Sequence, residues 1–226
     1  MHLILFDIDG TITDSTKVDD ECFIQSFQDL HKIDLKEASW SDFKHVTDSG
    51  LTFEIFEQHL DRQPSEEEIS VLKRHFYTLL HLRKREIREI EGALNAIKFF
   101  TESQSFAVAF ATGGWKETAV LKLSAIGLDP NEYILISASE HQSRAAITQL
   151  AIETSRKQYK LQAFESMTYI GDGLWDYQTT KELGINFIGI DYQQNNRLRA
   201  AGAPRVLVDL IDIEKFFRRT DSSSDV

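Results

Sequence analysis

The sequence predicts an α/β fold in which a Rossmann-like parallel sheet carries helices on both faces, together with a small all-helical domain. The first observation is a short apolar strand pattern at the N-terminus, over residues 2–8. The second is an alternation of apolar strands and helix-like segments after Gly92, which is typical of βαβ units. The third is a stretch over 15–88 that has helical spacing and no convincing strand.

Apolar spacing and capping residues predict the helices of the segment 15–88. These helices are expected over 17–30, 40–46, 53–60 and 65–87. Ser65 and Glu68 have the spacing of a capping box, which favours a helix start at this point. Residues 48–50, Asp-Ser-Gly, are predicted to form a turn between helices.

The alternation after Gly92 predicts the remaining elements. Strands are expected over 106–110, 133–136, 167–170, 186–190 and 205–208. Helices are expected over 93–103, 115–126, 143–154, 174–183 and 194–200. We therefore predict an α/β core of 1–14 and 89–219, a helical domain of 15–88, and a polar, disordered tail of 220–226.

Composition favours some classes of partner over others. The formal net charge of −11 disfavours nucleic acid and anionic membranes, which attract basic surfaces. A small phosphorylated substrate stays compatible, because only the local field at the site matters. The single cysteine, Cys22, forms no intramolecular disulfide. The sequence has no basic signal-peptide start and no run near the roughly 20 apolar residues of a membrane helix, so we expect a cytoplasmic protein.

Two carboxylates follow the first predicted strand. Asp7 and Asp9 are one residue apart, so both side chains are expected on one face as the strand ends. Gly10 and Thr11 come next, and glycine permits a sharp turn. Two carboxylates held this close favour a hard cation such as Mg²⁺ between them. The alternative interpretation is an ordinary Asp-Gly turn at a strand end.

Other strand ends carry polar residues suited to phosphate or metal. Thr112-Gly113-Gly114 follows a core strand, and its hydroxyl and N–H groups suit a phosphate, although a simple turn also favours glycine. Asp172 and Asp176 follow another strand, where the alternative is helix capping by Asp172 with Asp176 as a solvated acid of the first turn. Arg144 opens a helix and would neutralise phosphoryl charge, unless it is a solvated helix arginine.

Taken together and in this order, these motifs resemble the haloacid dehalogenase-like hydrolase superfamily. Asp7-Ile8-Asp9-Gly10-Thr11 is similar to its first motif, Thr112 to its second, and the segment from Gly171 to Asp176 to its fourth. Arg144 stands where the third motif usually has lysine. The resemblance covers 1–14 and about 89–219, and it points to the phosphatase branch, phosphoglycolate phosphatase-like, in which 15–88 is a helical cap.

The resemblance implies an Mg²⁺-dependent phosphatase that acts through an aspartyl-phosphate. It makes Asp7 the nucleophile and Asp9 the general acid and base. Thr112, Gly113 and Arg144 are expected to hold the phosphate. Mg²⁺ is expected on Asp7, on the carbonyl of Asp9 and on Asp172, with Asp176 orienting Asp172 or a metal-bound water.

Two alternatives to a phosphatase stay open. A sugar-phosphate mutase of the same fold would return the phosphoryl group to its substrate, and a non-catalytic protein would bind a phosphorylated ligand without turnover. Asp9 argues against the dehalogenase and phosphonatase branches, which lack this acid. The basic run over 83–88 would attract an anionic substrate or would form a solvated helix face.

Overall fold

The computed structural model describes residues 1–217, so the predicted disordered tail of 220–226 lies outside the described residues. Within this range the strands are β1 (His2–Phe6), β2 (Thr13–Asp14), β3 (Arg88–Glu89), β4 (Phe106–Ala111), β5 (Ile134–Ile136), β6 (Met167–Gly171), β7 (Asn186–Ile190) and β8 (Val206–Leu207). The helices are α1 (Thr16–His31), α2 (Asp48–Leu60), α3 (Glu66–Leu82), α4 (Ala93–Glu102), α5 (Lys116–Ala125), α6 (Arg144–Gln158), α7 (Leu174–Leu183) and α8 (Arg197–Ala200).

The described strands build one parallel sheet and one small antiparallel pair. Six strands over residues 1–217 lie in the order β5-β4-β1-β6-β7-β8. The register pairs Leu3 with Ala107 on one side of β1 and with Met167 on the other. The predicted parallel sheet is therefore confirmed, with the first strand at its centre.

Helices cover both faces of this sheet, as predicted. Leu3, Ile4, Leu5 and Phe6 are all inaccessible to solvent. Leu3 and Leu5 join an apolar cluster that includes residues of α6 and of the helical segment, whereas Ile4 and Phe6 face a cluster that includes α4. A strand that is buried on both faces is apolar at nearly every position, which is the pattern of residues 3–6.

Three expectations for residues 40–87 are wrong. Residues 40–46 form only a short 3₁₀ turn, Trp40–Asp42. The backbone N–H groups of Lys44 and His45 donate to the Glu54 carboxylate, both at 3.0 Å, and this side-chain partner replaces helical hydrogen bonds. The predicted turn at 48–50 is instead the first turn of α2. Its N-cap is Thr47, whose hydroxyl accepts a hydrogen bond from Gly50 N at 3.0 Å.

The third error concerns the end of α3. The capping box of Ser65 and Glu68 is present as predicted, but the helix ends at Leu82 and not at Ile87. Ile87 is buried and its backbone is extended, because it leads into β3, the strand through which the chain leaves the helical segment. β3 pairs antiparallel with β2, where the chain first leaves the sheet.

The helical segment and the sheet share apolar packing. The ring of Trp115, at the start of α5, lies 6.1 Å from Phe23 of α1 and 6.1 Å from Phe76 of α3. Cys22 is buried nearby, as expected for a packing residue. The division into a core of 1–14 and 89–219 and a cap of 15–88 stays a prediction. Over the described part of the chain, no helix has the length and apolar character needed to cross a bilayer.

Candidate active site

The carboxyl edge of the sheet carries a cavity of about 110 Å³. The loops after β1, β4, β6 and β7 and the start of α6 meet there, because the carboxyl ends of parallel strands share one edge. The structure brings most of the site residues predicted from the sequence to the lining of this one cavity: Asp7, Asp9, Thr112, Gly113, Arg144 and Asp172. Asp176 lies beside them, fully buried.

Asp7 directly follows β1 and is almost completely buried. Its Oδ1 accepts a hydrogen bond from Arg144 Nη1 at 2.8 Å. Burial raises the pKa of Asp7 to about 7, and Asp176 and Asp9 add to this rise, while Arg144 opposes it. Asp7 therefore stays ionised at neutral pH only with the help of a nearby positive charge.

Arg144 is held in place from both ends. It is the first residue of α6, whose N-cap Ser143 accepts a hydrogen bond from Ala146 N at 3.2 Å. Its guanidinium lies between Asp7 and Asp176, with Nε 3.4 Å from Asp176 Oδ1. Gly113 makes room for this group, because a Cβ there would crowd the guanidinium. Arg144 is thus a buried cation of the cavity and not a solvated helix arginine.

Three carboxylates of the site are close enough to share a cation. One oxygen from each of Asp7, Asp172 and Asp176 lies within 4.8 Å of the others. Gly10, with φ of +75°, permits this approach, because a Cβ there would collide with the Asp172 carboxylate. Burial and the nearby Asp7 charge raise the pKa of Asp172 well above its usual range. An all-oxygen, strongly anionic donor set of this kind fits Mg²⁺.

The Asp176 carboxylate is one of the three that lie close enough to share a cation. The resemblance gave it an orienting role, whereas its carboxylate belongs to the group of three. Asp176 Oδ2 accepts a hydrogen bond from Gly173 N at 3.1 Å, and Asp176 is fully buried, so the alternative interpretation of Asp176 as a solvated first-turn acid is wrong. The carboxylate of Asp9 does not belong to this group of three, because it contacts Ser15 and Lys122. The role of the Asp9 carbonyl as a metal ligand stays a prediction.

The Thr112 turn is organised by its own hydroxyl. Thr112 follows β4, is almost fully buried, and its Oγ1 accepts a hydrogen bond from Gly114 N at 3.2 Å. Gly113 and Gly114 also line the cavity. The turn therefore presents a threonine and two glycines to the site, as a phosphate cradle requires.

Lys122 is a site residue that the sequence analysis did not identify. It lies in α5, fully buried, and its Nζ contacts Asp9 Oδ2 at 2.7 Å and Asp19 Oδ1 at 2.5 Å. Although burial by itself lowers the pKa of Lys122, Asp19 and Asp9 raise it above the usual range, so the ammonium stays charged. The sequence carries a signal, since the apolar residues Trp115 and Ala119 precede Lys122 by seven and three positions, which places all three on one face of the predicted helix.

Both oxygens of Asp9 are engaged. Ser15 Oγ donates to Oδ1 at 2.5 Å, and Lys122 donates to Oδ2. Lys122 thereby joins Asp9 of the β1 loop to Asp19 of α1, across the boundary between the sheet and the helical segment. The orientation of Asp9 depends on both parts of the chain.

The helical segment supplies further residues to the lining of the cavity. Among those described are Thr16, Asp19, Asp20, Phe23, Trp40, Val46, Thr47, Asp48 and Leu51. Asp48 Oδ2 accepts a hydrogen bond from Trp115 N at 2.7 Å, and Asp20 Oδ1 accepts one from Trp40 Nε1 at 3.0 Å. The basic run over 83–88 does not line the cavity. Its Arg83 pairs instead with Glu21 and Glu86.

Comparisons with known proteins agree with this arrangement. A family model described as haloacid dehalogenase-like hydrolase matches residues 4–190. No curated protein gave a significant match. Among solved structures, a hydrolase from Pseudomonas syringae has a TM-score of 0.75 and 19% identity, and the match covers 97% of this chain and 99% of that one.

Two further structures are similar over almost the whole chain. CbbY from Rhodobacter sphaeroides, in complex with phosphate, has a TM-score of 0.70 at 18% identity, covering 93% of this chain and 95% of that one. A predicted phosphoglycolate phosphatase from Haemophilus somnus has a TM-score of 0.67 at 16% identity, covering 95% and 97%. At these identities the likeness establishes the fold, whereas the family match extends over most of the sequence. The chain belongs to the haloacid dehalogenase-like hydrolase family.

Proposed function

We propose that this protein is an Mg²⁺-dependent phosphatase that hydrolyses a small phosphomonoester through an aspartyl-phosphate on Asp7. The observation that carries the proposal is the Asp7 carboxylate itself. It lines the cavity, it accepts a hydrogen bond from Arg144 at 2.8 Å, and it lies within 4.8 Å of two other carboxylates. Similarity in fold to a predicted phosphoglycolate phosphatase and to a protein in complex with phosphate supports the same class of substrate.

Asp7 would attack the phosphorus atom of the substrate. The new bond joins a carboxylate oxygen to phosphorus, and the bond between phosphorus and the ester oxygen breaks. Asp7, Asp172 and Asp176, with the carbonyl of Asp9, would hold Mg²⁺. When bound, this ion offsets the repulsion between the carboxylates and the anionic phosphate.

Arg144, Thr112 and Gly113 would hold the remaining phosphate oxygens. The Arg144 guanidinium is buried between Asp7 and Asp176, so its position is set before the substrate arrives. The N–H groups of the glycine turn and the Thr112 hydroxyl are neutral donors of the kind that bind phosphate.

Asp9 would protonate the departing alcohol and then accept a proton from the water that hydrolyses the aspartyl-phosphate. Ser15 and Lys122 hold its two oxygens, so they keep the carboxyl group in one orientation. The products are an alcohol and inorganic phosphate, and the Asp7 carboxylate is regenerated. We also propose a cytoplasmic location, in keeping with a single free, buried cysteine.

The test is phosphate release from a generic aryl phosphate by the wild type and by Asp7→Asn. We expect Mg²⁺-dependent release by the wild type and a loss of at least about a thousandfold in the variant, because a neutral amide is a poor nucleophile. Asp42→Asn is the matched control, since Asp42 is an exposed acid that does not line the cavity. Full activity of Asp7→Asn would contradict the mechanism.

The products also separate the phosphatase from its two alternatives. A phosphatase accumulates inorganic phosphate. A sugar-phosphate mutase converts one sugar phosphate into its isomer without accumulating phosphate, and a binding protein does neither. A panel of sugar phosphates, followed for isomerisation and for phosphate release, would reveal either alternative.

A further inference from the structure

We infer that the helical segment selects a substrate whose leaving group is positively charged, namely the phosphate ester of a small amino alcohol, and rejects a leaving group that carries a carboxylate. This inference rests on the proposed function and concerns the same cavity. It follows from the charges that the segment 15–88 contributes to the cavity wall, from their partners, and from the aromatic rings between them.

The lining residues of the helical segment are acidic, apolar or neutral. Asp19, Asp20 and Asp48 are the charged side chains that this segment contributes among the described lining residues, and no lysine or arginine of 15–88 is part of the lining. A carboxylate on the leaving group would therefore face carboxylates of the protein. Asp48 is buried and Asp19 and Asp20 are half-buried, so solvent screens these charges less than it screens charges at the surface.

These three acids differ in how far the protein compensates them. Asp19 pairs with the Lys122 ammonium at 2.5 Å, and Asp48 accepts a hydrogen bond from Trp115 N. Asp20 accepts a hydrogen bond from the neutral indole of Trp40 and forms no salt bridge with a described residue. Burial raises the pKa of Asp20 to about 6, so the group is still largely ionised at neutral pH. Asp48 likewise forms no salt bridge with a described residue, but it is buried, whereas Asp20 is half-buried and more accessible from the cavity. Asp20 is therefore the carboxylate that a substrate cation would neutralise.

Aromatic side chains stand beside Asp20. Phe23 and Trp40 line the cavity, and their rings contact edge to face with centroids 5.9 Å apart. An ammonium group is attracted to an aromatic face as well as to a carboxylate, and Trp gives the strongest attraction of this kind. A half-buried carboxylate that has no salt bridge to a described residue is suited, together with Phe23 and Trp40, to bind an amine.

Among the described residues, one cation besides Arg144 lines the cavity. Gln193 and Arg197, which follow β7, line the cavity from the side of the sheet, and Arg197 is exposed to solvent. If the leaving group carried a carboxylate, Arg197 would be its partner. We expect solvent to screen this exposed charge more than the partly buried acids of the helical segment.

The test compares three phosphate esters that share a two-carbon leaving group. Phosphoethanolamine has a cationic leaving group, ethylene glycol monophosphate a neutral one, and phosphoglycolate an anionic one. With Mg²⁺ present, we expect kcat/KM to fall in that order, with at least a tenfold difference between the first and the last. A preference for phosphoglycolate, lost in Arg197→Gln, would overturn the inference and assign the carboxylate to Arg197.

The Asp20→Asn variant identifies the residue responsible. Asparagine keeps an oxygen that accepts the Trp40 hydrogen bond and removes only the charge. We expect the preference for phosphoethanolamine over phosphoglycolate to fall by about tenfold, mainly through KM, while hydrolysis of the neutral ester changes little. The control is Glu37→Gln, which removes the same charge from an exposed position of the segment that does not line the cavity. An unchanged preference in Asp20→Asn would overturn the role of Asp20.

The outcomes also distinguish this inference from the proposed function. If none of the three esters and no aryl phosphate releases phosphate, the proposed function fails and the inference fails with it. If phosphate is released but all three esters react equally, or phosphoglycolate reacts fastest, the proposed function stands and the inference alone is overturned.

Discussion

Lys122 is a buried ammonium that contacts two carboxylates from different parts of the chain. It lies 2.7 Å from Asp9 Oδ2 and 2.5 Å from Asp19 Oδ1, and its side chain is inaccessible to solvent. Removing one partner of a buried ion pair leaves an uncompensated charge, and typical losses are about 3–5 kcal/mol. Lys122 therefore positions Asp9 and also contributes to stability, as long as both acids are ionised.

The first prediction concerns Lys122→Met. We expect a lower free energy of unfolding, together with a shift of the pH–rate profile towards higher pH, because removing the cation favours protonated carboxyl groups beside it. Urea denaturation measures the first effect, and kcat/KM for an aryl phosphate between pH 5 and 9 measures the second.

Two further variants separate positioning from packing. Lys122→Arg keeps the charge, so the pH–rate profile should move less than in Lys122→Met even if stability falls. Lys116→Met changes an exposed lysine of the same helix and should leave the profile unchanged. A Lys122→Met enzyme with an unshifted profile would show that Lys122 is structural only.

At the scale of secondary structure, the first turn of α2 joins the helical segment to the sheet. Asp48 N donates to Gly113 O at 2.7 Å, and Thr47 Oγ1 donates to Gln142 O at 2.6 Å. Ser49 Oγ donates to Ala138 O at 2.6 Å and accepts a hydrogen bond from Trp115 Nε1 at 2.8 Å. These contacts hold Thr47 and Asp48 at the cavity wall.

The second prediction concerns Ser49→Ala. The substitution leaves the indole N–H of the buried Trp115 without its acceptor, and an unsatisfied buried donor costs about 1–3 kcal/mol. We expect a loss of stability in that range, measured by urea denaturation, and a higher KM because the wall of the cavity is less firmly held.

Ser70→Ala serves as the matched control for this change. Ser70 is exposed on α3, where alanine has the higher helix propensity, so stability should stay the same or rise slightly. Equal stabilities of the two variants would contradict the importance of the α2 contacts.

At the scale of the whole molecule, acidic side chains are concentrated in one cavity of an acidic protein. Burial raises the pKa of Asp7 and of Asp48 to about 7, and it raises that of Asp172 well above the usual range. A carboxyl group whose pKa is higher in the folded state contributes most to stability when protonated. For Asp7 and Asp48 that contribution is lost as the pH rises from about 4 to about 7, and for Asp172 it is likewise lost as the pH rises.

The third prediction follows from this sign. Without metal, Asp172→Asn should be more stable than the wild type at pH 8, and the difference should shrink as the pH falls towards 4. Mg²⁺ should raise the melting temperature of the wild type, more at pH 8 than at pH 5, because protons compete for the carboxylates.

Melting curves in EDTA and in Mg²⁺ over this pH range provide the measurement. Asp172→Asn should lose most of the Mg²⁺-induced rise, whereas Asp42→Asn, with its exposed acid, should retain it. If Mg²⁺ leaves the melting temperature of the wild type unchanged at every pH, these carboxylates are not a magnesium site.

Much of this protein was determined by the local sequence. Apolar runs bounded by Gly, Asp and Thr identified the strands of the sheet, and a parallel sheet brings their carboxyl ends to one edge. That is why Asp7, Thr112 and Asp172 were predicted to meet although they are far apart in the chain. Arg144 was expected at the same edge because it begins the helix that follows β5. The match to the family model supports the identification of these motifs.

Only the tertiary structure decided how the helical segment completes the cavity. Asp9 and Lys122 are separated by 113 positions, and no local pattern pairs them. Asp20 and Asp48 lie in helices whose spacing does not show which acidic side chains face the cavity. The packing of these helices around Trp115 decides it. Residues 48–50, expected as a turn, begin a helix instead, and hydrogen bonds to Gly113, Ala138 and Gln142, in the loops after β4 and β5, hold this first turn in place. Spacing along the chain defines elements, whereas long-range packing decides which side chains face the cavity.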